Sequence, residues 1–212
     1  MNAEVVVGML DSGVELAVAA HVRASRGFVD KPGPGPFGHS TAVVRIVLHH
    51  APDAPLICAQ VFGSRQRTTP EVVAAGLDWL RQEHARIVNM SFGLRHDRAV
   101  LRHAVTRSQA AGMIVVASVP ARGAMVYPGG YAGVIRVSGD ARCAPGEISA
   151  LGGDPADYGA CPKDMDGRLG GASFAAAHVT GLLASRLSES DQDPRDLLDR
   201  LARFQGRERR LA

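Results

Sequence analysis

The chain has 212 residues, 46% of them hydrophobic, and a formal net charge of +3 at neutral pH. That length suits one domain, residues 1–212, with a substantial core. No apolar run approaches the roughly 18 residues that a membrane span needs, so no membrane partner is expected. The small positive balance, gathered partly in Arg207-Glu208-Arg209-Arg210, reads as a solvated end and excludes no class except strong polyelectrolyte binders; no nucleic-acid partner is expected.

The elements follow in chain order. Residues 4–10 are apolar and β-branched, a buried strand ending at Asp11. Pro32-Gly33-Pro34-Gly35-Pro36 is a stiff loop. A helix is expected over residues 39–50, stopped by Ala51-Pro52, then a strand over 56–62. Thr69-Pro70-Glu71 opens a helix running to about residue 84, with threonine as cap and proline in the first turn. Strands are expected at 86–91, 113–119 and 134–138, and helices at 97–111, 173–187 and 194–204. Such alternation implies an α/β fold, a mostly parallel central sheet flanked by helices on both faces. In such folds ligands sit at the carboxyl ends of the strands, where Asp11 and Ser91 fall.

Three segments carry chemistry. Gly170-Gly171-Ala172-Ser173 opens an apolar helical stretch, so a hydroxyl stands where helix N–H groups and the helix dipole favour negative charge. Asp11-Ser12-Gly13 ends the first strand, and Gly38-His39-Ser40-Thr41 begins a helix. Serine, histidine and aspartate are the parts of a hydrolytic triad. Each also has a bland reading, as a turn, a helix start or a cap.

The three blocks, in this order, resemble the D-[ST]-G, G-H-x-T and G-[TS]-S-x-[AS]-x-x-H-[VI] patterns of the subtilisin family of serine proteases. Val88-Asn89-Met90-Ser91-Phe92-Gly93 resembles that family's substrate-binding strand, and residues 127–137 its segment beyond the oxyanion region. The resemblance implies a compact subtilisin-like fold with trimmed loops. It also implies Ser173 as nucleophile, His39 as base, Asp11 as its orienting carboxylate, and Ser91, Phe92 and Gly93 as substrate-binding residues. His178, in the helix after Ser173, is expected to be structural.

Two positions depart from the family. Where the family has the oxyanion-donating asparagine, this chain has Ala121, within Val119-Pro120-Ala121-Arg122-Gly123. Removing that donor in subtilisin lowers turnover by about 10²–10³. The expected oxyanion region is therefore the Ser173 N–H, with Ser118 or Arg122 as replacement donors. Ala177 stands where the family usually has proline.

No cofactor or metal is expected. Asp164-Met165-Asp166-Gly167 only faintly suggests a calcium loop, and the other histidines match no ligand pattern. Cys58, Cys143 and Cys161, odd in number and far apart, read as reduced thiols. With no secretory signal or prodomain visible before residue 4, the expected location is cytoplasmic. The expected partner is a polypeptide substrate, one specific leader-bearing protein. A pseudoprotease that grips an extended peptide, and a peptide acyl transferase or macrocyclase, stay open as alternatives.

Overall fold

The computed structural model describes residues 4–33, 38–63, 66–187 and 192–207. Among the described residues, nine strands form one sheet in the order β2-β3-β1-β4-β5-β6-β8-β7-β9. The central strands are β1 (Val7–Asp11), β3 (Leu56–Gln60), β4 (Ile87–Met90), β5 (Ile114–Ser118) and β6 (Ile135–Gly139), all parallel. Outside them lie β2 (Val22–Gly27), β7 (Ile148–Ala150), β8 (Tyr158–Ala160) and β9 (Ala202–Gln205), with β7 and β8 antiparallel.

Because successive side chains of a strand point to opposite faces, each central strand feeds two cores. Leu10, Ile57, Val88, Met90 and Val115 pack with α3 (Pro70–Gln82) and α4 (Ala99–Ala110). Val7, Met9, Leu56, Ile87 and Val116 face the other way, toward α2 (His39–His50), α5 (Ala172–Arg186) and α6 (Pro194–Leu201). The apolar runs that signalled strands are thus runs buried on both sides.

Local signals set the helix ends. The Thr69 hydroxyl accepts from the Val72 N–H at 3.3 Å, capping α3 one residue before Pro70. Gly38 has φ +62, a left-handed turn that glycine takes without cost just before His39. Where α5 crosses α2, a Cβ at Gly181 would lie 3.0 Å from both Cβ of His50 and the Val47 carbonyl. A side chain there would be tight, so glycine suits this close approach of the two helices.

Two departures from the sequence reading stand out. The helix expected over 194–204 ends at Leu201, and the chain turns into β9, which pairs with β7. Arg142 holds this last strand, stacking on Phe204 at 5.2 Å and donating to the Gly206 carbonyl at 2.6 Å. A one-turn helix, α1 (Leu16–Ala19), and strands β2, β7 and β8 were not anticipated. Of the proline-glycine loop, residues 34–36 lie outside the described residues, as do residues 208–210 of the basic end. Cys58, Cys143 and Cys161 are all buried free thiols, and burial together with the Asp11 charge pushes Cys58 up to about 12. Among the described residues no helix is long and apolar enough to cross a membrane.

Candidate active site

The chain runs from β1 outward to β3 on one side and then returns to β4 on the other. The order of strands therefore reverses between β1 and β4, and the crevice above that reversal is where such sheets take ligands. Asp11 is the last residue of β1, and Ser91 directly follows β4.

Asp11 is buried, and its carboxylate is divided between two tasks. Oδ1 accepts the Ser12 N–H at 2.7 Å, which fixes the rotamer. Oδ2, shielded from solvent, lies 3.1 Å from Nδ1 of His39, close but imperfectly aligned for a hydrogen bond. A second link ties the two segments together, because the Ser12 hydroxyl bonds to that of Ser40, which donates to the Gly13 carbonyl at 3.0 Å. Burial opposes charging the His39 imidazole, but contact with Asp11 and the charge of that carboxylate outweigh it, so the His39 pKa is raised. With Nδ1 turned to Asp11, Nε2 is left as the basic atom.

Ser173 is the second residue of α5, and its N–H is among those that a helix leaves without an intrahelical acceptor. Its neighbour Phe174 lies with its ring centroid 5.6 Å from that of His39. The structure thus brings Asp11 against His39, and His39 beside the residue following Ser173. The Ser173 hydroxyl itself donates to the Ser91 carbonyl at 2.8 Å, while the Ser91 hydroxyl donates to the Ser173 carbonyl at 2.9 Å. Behind Ser91, Asn89 Nδ2 donates to its hydroxyl at 2.8 Å, and Thr180 Oγ1 donates to Asn89 Oδ1 at 3.1 Å.

Of the expected substrate-binding residues, Ser91 is buried, Phe92 half-buried and Gly93 exposed. Phe92 meets Phe62 edge-on at 5.0 Å and packs on the α3–α4 core, so its ring serves the core. Leu94 pairs with Tyr127 through hydrogen bonds of 2.7 and 2.8 Å, which closes the loop 119–126 onto this segment. Of the expected oxyanion residues, Ser118 ends β5 and is buried, whereas Ala121 and Arg122 are exposed in that loop. Asp166 pairs with Arg45 at 2.7 Å, and Asp164 accepts the Leu169 N–H at 3.0 Å, so both carboxylates are engaged within the protein.

Two groupings escaped the sequence reading. Asn89 had a visible signal, being the one polar residue of the buried strand Ile87–Met90, while Thr180 shares its buried apolar stretch with His178. The other is His178, fully buried, whose Nδ1 lies 2.8 Å from Nε2 of His50. His178 Nε2 faces the Lys163 carbonyl at 3.3 Å, so it carries the proton and the His50 N–H must donate to His178 Nδ1. Nothing in the sequence spacing links residues 50 and 178.

The model of the subtilase family matches residues 2–201. The chain is 28% identical to subtilisin DY of Bacillus licheniformis over 217 residues, covering 89% of this chain and 78% of that protein. It is 30% identical to subtilisin BL of Lederbergia lenta over 146 residues, covering 62% of this chain and 54% of the other. Among solved structures, a serine-to-alanine variant of the protease domain of PatA superposes with a TM-score of 0.70 at 21% identity, covering 91% of this chain and 84% of that one. The prenylagaramide maturation protease PagA gives 0.64 at 17% identity, covering 92% and 80%.

The chain belongs to the subtilase family. It is a serine endopeptidase of subtilisin type, with a polypeptide as its class of substrate.

Proposed function

We propose that this chain is a selective processing peptidase that removes a leader or propeptide from one partner polypeptide in the cytoplasm. Ser173 Oγ attacks the scissile carbonyl, His39 takes its proton and returns it to the leaving amine, and Asp11 holds and charges-balances the imidazole. The Ser173 N–H and the start of α5 face the developing oxyanion. The whole chain serves as one peptidase domain that needs no metal or cofactor.

The observation that carries the reading is the Asp11–His39 contact at 3.1 Å, with the His39 ring against the residue that follows Ser173. Free enzymes commonly hold their reacting groups out of line until substrate arrives. A substrate strand pairing along Ser91 brings backbone N–H groups that compete for the Ser91 carbonyl, which releases the Ser173 hydroxyl toward His39. Selectivity is supported by the exposed Ala121 in place of a side-chain donor, and by the maturation role stated for PagA.

A fluorophosphonate probe, which labels only activated serines, tests the reading. The expected result is a single adduct on Ser173 that disappears in Ser173→Ala, together with loss of cleavage of a leader-bearing polypeptide encoded beside this chain. Cleavage that survives Ser173→Ala sinks the reading. One observation favours a second reading, a peptide-gripping pseudoprotease: the Ser173 hydroxyl is given to Ser91. An unlabelled Ser173 in a chain that still binds peptide would select it.

A further inference from the structure

Beside the loop that follows β5 lies a cavity of about 310 Å³. Its wall includes Arg122 from the loop after β5, Ser138 and Asp140 at the end of β6, and Arg207 just past β9. Leu151 and Pro155 give it an apolar side.

Three observations define what this cavity prefers. Arg122 and Arg207 are exposed, and neither guanidinium is hydrogen-bonded or ion-paired within the described residues. Asp140, by contrast, is already neutralised: Arg142 grips both of its oxygens, at 3.0 and 2.7 Å, and Ser149 donates to it at 2.6 Å. The field in the cavity is therefore positive. Ser138, only 2% exposed, borders the cavity with a hydroxyl that has no hydrogen-bond partner among the described residues. An unpaired buried hydroxyl is unfavourable, and an arriving acceptor would remove that cost.

From this chemistry we propose that the cavity receives an acidic side chain of the polypeptide substrate, which makes Arg122 and Arg207 specificity-determining residues. The proposal rests on the peptidase reading above. A guanidinium meets a carboxylate with two parallel N–H donors, and two of them over an apolar wall suit glutamate or aspartate far better than a neutral amide. The route is continuous as well. Leu94 pairs with Tyr127, so a polypeptide lying along Ser91 to Gly93 runs beside the loop 119–126, which carries Arg122.

The test separates binding from catalysis by using the full chain with Ser173→Ala, which leaves peptides intact. Fluorescent alanine-glycine decapeptides, with a single glutamate, glutamine or lysine walked along the sequence, are titrated by anisotropy. We expect glutamate at one register to bind about tenfold more tightly than glutamine there, with the difference shrinking as salt screens the charges. Adding Arg122→Glu and Arg207→Glu should reverse the order so that lysine binds best; both positions are exposed, and the neutral pair Arg122→Gln and Arg207→Gln should abolish the preference. Equal binding of glutamate and glutamine at every register, or a preference that outlives charge reversal, overturns the proposal. Labelling of Ser173 in the unmodified chain reports the peptidase reading independently, so either can fail alone.

Discussion

Ser173 and Ser91 hold each other by two reciprocal hydrogen bonds, hydroxyl to carbonyl in each direction, at 2.8 and 2.9 Å. The pair joins the start of α5 to the end of β4, and Asn89 and Thr180 support it from within the core. Asn89→Leu should leave the buried Thr180 hydroxyl unpaired, at about 1–3 kcal/mol, and remove the donor to the Ser91 hydroxyl, which keeps its bond to the Ser173 carbonyl. Calorimetry should show a lower Tm, and the fluorophosphonate should label Ser173 more slowly in the molecules that remain folded. Thr180→Val, which removes one weaker bond, should cost about 1 kcal/mol. A labelling rate that does not change in Asn89→Leu would show that the network is scaffold alone.

A second prediction concerns pH. The base must be neutral to accept a proton, and the His39 pKa is raised above the ordinary 6.5, so activity should rise with pH through a midpoint above that value. Stability runs the other way. A raised histidine pKa stabilises the fold fully below the unfolded value, and that contribution is lost as pH rises through the folded one. Asp11→Asn removes the attraction, so the midpoint should move down while turnover falls by about 10⁴. A rate–pH profile of the two proteins decides the matter, and coincident midpoints would contradict it.

The His50–His178 pair predicts acid sensitivity far from the reacting groups. Burial, together with the positive charge that His178 and His49 would carry, lowers His50 to about 4 from 6.5. The unfolded chain therefore binds protons that the folded chain refuses, and stability should decline as pH falls through that interval. Burial also lowers His178, against the favourable Lys163 carbonyl, which adds in the same direction. His50→Gln keeps an N–H donor for His178 but cannot titrate, so its Tm should fall less between pH 7.5 and 5. Equal losses in the two proteins would assign the acid sensitivity elsewhere.

Ala121 predicts a gain. Ala121→Asn supplies a side-chain donor where relatives of this fold place one, and it should raise turnover about tenfold or more with little change in KM. The position is exposed, so the substitution should not disturb the core. A kcat that stays level would mean that some other group already fills the role.

Much of the sheet was legible because its central strands are buried on both faces and therefore read as unbroken apolar runs, such as Val7 to Leu10. The caps at Thr69 and the left-handed Gly38 fixed helix starts in the same local way. The residues at the crevice were legible through motif rather than periodicity: Asp11, His39 and Ser173 are spread over most of the chain. What escaped depends on long-range pairing. Strand β9 is polar and half-exposed, and only the edge offered by β7 makes it a strand. Strands β7 and β8 have three residues each, too few to show a period. The contact between His50 and His178 exists only because Gly181 lets two helices touch.

That close crossing has an architectural corollary. His39 and Ser173 each stand in the first turn of a helix, and the two helices are pressed together along their length, so the spacing of the reactive groups is a property of rods rather than of the loops around them. Insertions into the surface connections, for instance near Gly152-Gly153, should therefore leave that spacing intact, whereas one methyl group at residue 181 would press on His50 and the Val47 carbonyl and shift the two rods against each other.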